Sequence, residues 1–105
     1  MKIRLIVPNC NRNTSPIVAY GLAIANIAGG FTAAQATGGW KDDQGNLIVE
    51  PVTVFDCSIE PDSNCFPGPL GIADKFRDLA KTIARDLNQT CVYLEIDGVV
   101  EYIGQ

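Results

Sequence analysis

Histidine is missing altogether from these 105 residues. Its absence excludes Ser-His-Asp and Cys-His nucleophilic schemes and the usual proton shuttle near neutral pH. Any chemistry must rest on carboxylates, backbone dipoles or groups that a substrate brings with it. No apolar run approaches the roughly 18 residues of a membrane span. The opening Met1-Lys2-Ile3-Arg4-Leu5-Ile6-Val7-Pro8 lacks the apolar core and cleavage site of a signal peptide, so a cytoplasmic location is expected. The cysteines, Cys10, Cys57, Cys65 and Cys91, include no Cys-x-x-Cys, and no spacing supports a metal site. They read as small buried hydrophobes, with Cys57 and Cys65 bracketing a loop and able to bridge if oxidised. Positive charge is also scarce, 8 Lys and Arg against 12 Asp and Glu, for a net charge of −4. Tracking phosphates needs a clustered basic face, so nucleic acid is not an expected partner. Arg77, Lys81 and Arg85 align on one side of a helix and read as a solvated face.

What remains is an ordinary globular composition, 47% hydrophobic and 19% charged, with room for one domain over residues 1–105. Lys2–Val7 is a short strand. Ser15-Pro16 is a helix start, Ser as N-cap and Pro at the first helical position, for a largely apolar helix that runs to Ala28 and ends at Gly29-Gly30. Phe31–Trp40 and Leu47–Cys57 read as two strands around the polar loop Lys41–Asn46. Ser58–Pro69 is irregular and proline-rich, a candidate rim or lid. Between Gly71 and Asn88, Ile72, Phe76, Leu79, Ala80, Ile83, Ala84 and Leu87 form the stripe of an amphipathic helix. Val92, Leu94 and Ile96 alternate on one face of a further strand, and Asp97-Gly98 signals a hairpin returning Val99–Ile103. The order β-α-β-β-α-β with a terminal hairpin predicts an α+β, ferredoxin-like sandwich, two helices on one face of an antiparallel sheet. The uncovered face makes self-association an expectation.

The candidate site lies on the central ribbon. Glu50 interrupts an apolar, β-branched run, and a charge there costs stability unless it is paired or used. It shares a strand face with Val52 and Val54 and precedes Pro51, a residue that favours edges and pocket rims. Its two readings are a solvated strand end and a carboxylate aimed at a cationic ligand group. Trp40 follows Gly38-Gly39, which permit close backbone approach; its indole is a core plug or a flat face for a base or cation. Gly38-Gly39 matches no phosphate loop or dinucleotide fingerprint. Asp42, Asp43, Glu60 and Asp62 read as solvated loop charges, and Tyr20, Tyr93 and Tyr102 as amphipathic fillers.

Thr37-Gly38-Gly39-Trp40-Lys41-Asp42, followed by Glu50-x-Val52-Thr53-Val54-x-x-Cys57, resembles the centre of the bacteriophage S-adenosylmethionine lyases, long called hydrolases. Leu87-Asn88-Gln89-Thr90-Cys91-Val92-Tyr93 resembles that family's helix-to-strand junction, and Ala28-Gly29-Gly30-Phe31 its helix exit. The likeness covers about two-fifths of the chain, in three patches of similar order and spacing. Trp40 stands where a tyrosine is typical, and the loop before Glu50 is one residue shorter. The resemblance implies a homotrimer with sites between subunits, acting on S-adenosylmethionine without metal or cofactor. Its products would be 5′-methylthioadenosine and homoserine lactone, depriving host restriction-modification systems of their methyl donor. It further implies that Glu50 is catalytic, holding the substrate's α-ammonium, while Thr37, Gly38, Gly39 and Trp40 bind substrate. The residues also fit a non-catalytic small-ligand module, or a phage inhibitor that docks on a host protein.

Overall fold

The computed structural model describes residues 1–10, 14–60 and 69–104. Cys65, the residue with which Cys57 could bridge if oxidised, and the core of the irregular 58–69 segment lie outside the described residues. The elements are β1 (Lys2–Pro8), α1 (Pro16–Ala28), β2 (Thr32–Lys41), β3 (Leu47–Ser58), α2 (Pro69–Asp86), β4 (Cys91–Ile96) and β5 (Val99–Gly104). All five strands form one antiparallel sheet in the order β2-β3-β1-β4-β5. This is the ferredoxin-like sandwich with one added edge strand.

Local chemistry sets the boundaries. The Ser15 hydroxyl accepts from the Val18 amide at the start of α1, with Pro16 inside the first turn. Gly29, at φ 88°, closes that helix in the left-handed region, where a Cβ would be strained. The end of α2 uses asparagine instead. Asn88 takes φ 52°, and the Gln89 amide donates back to the Ala84 carbonyl at 2.8 Å. Asp97 (φ 49°) and Gly98 (φ 85°) supply the positive pair that a type I′ hairpin requires.

One sheet face meets the helices. Ile3, Leu5 and Val7 of β1, Phe55 and Cys57 of β3, and Val92 and Leu94 of β4 pack with Ile72, Phe76, Ala80, Ile83 and Ala84 of α2 and Ile24 of α1. The α2 stripe is therefore core, as its period predicts. In the largely apolar α1, Ile24 is buried, whereas Ile17, Val18 and Leu22 are exposed. Arg77 is not simply solvated. Its guanidinium donates to both carboxylate oxygens of Glu101 at 3.0–3.2 Å and to Asp74 at 3.0 Å, tying α2 to β5. No described helix is long and apolar enough to cross a membrane.

Candidate functional site

The face opposite the helices carries both Glu50 and Trp40. Strand alternation puts Ile6 and Pro8 of β1, Trp40 of β2, Glu50 and Val52 of β3, Cys91 and Tyr93 of β4 and Tyr102 of β5 on that side. The right-handed twist of the sheet brings these strands around one hollow of about 390 Å³, completed by Gln89, Thr90 and Val92. Its walls are largely apolar. Glu50 is the single charged residue among those described that line it.

The ribbon that carries Glu50 overhangs the sheet. Pairing of β1 with β3 stops at Pro8–Val52, while β2 and β3 continue together to Lys41–Leu47. Pro51 falls where β1 runs out, the position at which a missing N–H costs least. Its carbonyl accepts from the Asn9 amide at 3.0 Å. Behind it, on the helix face, Thr53 is wholly buried. Its hydroxyl donates to Asn9 Oδ1 at 2.7 Å and accepts from Gln35 Nε2 at 3.1 Å, and Asn9 Nδ2 donates to Gln35 Oε1 at 2.7 Å. This closed triangle of side chains links β1, β2 and β3 at the base of the overhang. At its tip, Asp42 Oδ1 accepts from the amides of Gln44 and Asn46, so this loop carboxylate shapes the turn.

Glu50 is half-buried and has no hydrogen bond or ion pair among the described residues. Trp40 is 46% exposed on the same face. Gly38, opposite Glu50 in the register, shares that face, and a Cβ there would stand 3.2 Å from Val52 Cγ1. Thr37 and Gly39 alternate to the other face, so they reach the hollow only through backbone. β2 is an edge strand, which leaves part of its peptide groups free for such contacts.

Across the hollow, Tyr93 and Tyr102 meet edge to face, with ring centroids 5.8 Å apart and planes at 79°. The Tyr93 hydroxyl donates to Glu95 Oε1 at 2.6 Å, and that carboxylate holds the phenol above its ordinary pKa. Farther along the face Arg4 pairs with Asp56 at 2.8 Å. The sequence reading took both tyrosines for amphipathic fillers because their alternation marks the face alone, and the strand order that brings them opposite Trp40 is not a local property.

The chain matches no family model, and no curated protein is significantly similar to it. Two solved structures share its fold. One is a phage SAM lyase in complex with S-methyl-5′-thioadenosine, with a TM-score of 0.67 and 21% identity, covering 99% of this chain and 88% of that one. The other is a phage SAM lyase in the apo state, with a TM-score of 0.62 and 19% identity, covering 98% and 80%. The likeness is one of fold.

Proposed function

We propose that this chain is an S-adenosylmethionine lyase that acts as a homotrimer with its sites between subunits. The observation that carries the reading is the placement of Glu50, unpaired and alone in charge among the described residues, in the same apolar hollow as Trp40. The fold shared with a phage SAM lyase supports it, as do the sequence patches around Gly38 and Gln89.

S-adenosylmethionine brings its own nucleophile, the carboxylate, and its own leaving group, a thioether expelled from a sulfonium. A carboxylate oxygen attacks the γ-carbon of the methionine tail and the γ-carbon–sulfur bond breaks. Sulfur keeps the electron pair, the sulfonium charge is discharged, and neutral 5′-methylthioadenosine leaves beside homoserine lactone. No proton moves in that step, which suits a site without histidine, and water later opens the lactone to homoserine. The protein's task is to fold the tail, and well-oriented intramolecular reactions gain roughly 7–11 kcal/mol from such positioning. Glu50 accepts the α-ammonium and so fixes the carbon bearing the nucleophile. Trp40 walls the site, and the Gly38 and Gly39 peptides, with Thr37 beside them, contact substrate through backbone.

Incubation with S-adenosylmethionine, followed by chromatography and mass, tests this. Methylthioadenosine and homoserine lactone are expected. In Glu50→Gln, turnover falls on the order of 10²–10³-fold with folding retained, the loss typical of a desolvated charge deprived of its partner. Intact substrate after long incubation would leave a ligand-binding module as the better reading. Homoserine without lactone at the earliest times would point to attack by water instead.

A further inference from the structure

Phosphate-bearing ligands are disfavoured in the hollow by electrostatics, since its one charged lining group among the described residues is a carboxylate and no Lys or Arg lines it. The lining favours a ligand that carries positive charge. Glu50 can answer one positive centre, and it stands at the ribbon end. On the opposite wall stand two tyrosines whose rings carry negative π faces. A T-shaped pair engages only one ring face between its members, leaving faces for a third partner. Tyr102 is 69% exposed, so its ring is available, while Tyr93 is held in place by its hydrogen bond to Glu95. The hollow thus has two separate features that favour positive charge, an anion on one side and aromatic faces on the other.

We infer that the Tyr93–Tyr102 pair is a specificity-determining element that recognises the sulfonium charge and so separates substrate from product. The inference rests on the lyase reading. S-adenosylmethionine carries two cations, and with its ammonium on Glu50 the sulfonium is left for the aromatic wall. Attraction of a cation to a ring face acts on the bound substrate and vanishes when the sulfonium becomes a thioether. The pair therefore strengthens binding and promotes release of methylthioadenosine, with no direct gain in the chemical step. The Tyr102 phenol oxygen takes no part, so phenylalanine should serve in its place.

Two unreactive analogues isolate the charge. S-adenosylhomocysteine has a neutral sulfur, and sinefungin places an amine-bearing carbon where the sulfonium stood. Isothermal titration of the wild-type protein is expected to show sinefungin bound about three- to thirty-fold more tightly. Tyr102→Leu should reduce that preference to near unity, while Tyr102→Phe keeps it. Tyr102 is exposed on an edge strand, so Tyr102→Leu leaves the core intact, which its thermal midpoint will verify. An undiminished preference in Tyr102→Leu, or none in the wild type, overturns the inference and leaves the lyase reading standing. Failure of the wild type to bind either analogue overturns both.

Discussion

Cys57 shows how far one buried atom can set a solution property. Its thiol lies in the core beside Asp56, and burial, then that carboxylate's charge, push its pKa from 9.0 to about 11. The unfolded chain binds the thiol proton less tightly, so it releases the proton first as pH rises. The stabilisation is complete below pH 9 and is lost as pH rises toward 11. Thermal midpoints measured from pH 8 to 11 should fall more steeply for the wild type than for Cys57→Ala. Equal slopes would refute the assignment, and the difference between the two proteins removes every contribution they share. Thr53 is a residue of another kind. A buried hydroxyl is costly without partners, and here one oxygen both donates and accepts inside the triangle with Asn9 and Gln35. A sequence reading of β-branched residues on a strand finds Thr53 as a strand former and misses it as a clasp, because its partners lie 18 and 44 residues away.

At the scale of elements, α2 bears most weight. Phe76 is wholly buried between helix and sheet, and Phe76→Ala should lower the free energy of unfolding by about 3–5 kcal/mol, read from the shift of a urea midpoint at unchanged slope. That is a large share of the roughly 5–15 kcal/mol typical of a domain. A loss below about 1 kcal/mol would mean that the helix packs differently. This helix was legible in the sequence because its apolar period is local and unbroken. The two hairpins were legible for a similar reason, since Gly45 and the Asp97-Gly98 pair announce turns. Helix α1 was legible as an element but not as a packed face: it is apolar nearly all round, so its sequence does not say which side the sheet takes. Arg77 illustrates the same limit, its spacing suggesting a wet helix face and its real partner Glu101 lying on β5. The candidate site was half legible. Glu50 and Trp40 stand out as a charge and a ring in the wrong company; Tyr93 and Tyr102 look ordinary until the sheet order places them opposite.

The whole molecule is elongated, 49 × 28 × 22 Å, with part of its length in the ribbon that outruns β1. Isolated two-stranded ribbons are marginal in water, and this one carries Trp40 and Ile48 on one face and Leu47 and Val49 on the other, all exposed in the single chain. The proposed trimer would cover such surface. Sedimentation equilibrium is expected to give three times the 11.3 kDa chain mass, and Ile48→Lys to shift the protein toward smaller species. A wild-type monomer at micromolar concentration would rule out sites shared between subunits.

The overhang also has a mechanical meaning. From Val52 to Ile48 the strand reaches roughly 13 Å beyond its last partner on β1, so any tilt at the Asn9–Thr53–Gln35 clasp would be carried along its length. A tilt of only about 10° at the clasp displaces the tip by roughly 2 Å, so the gap between the indole and the tyrosines is set as an angle rather than as a fixed width. Substitutions at the clasp, remote from any ligand, are thus the economical way for this fold to resize its hollow.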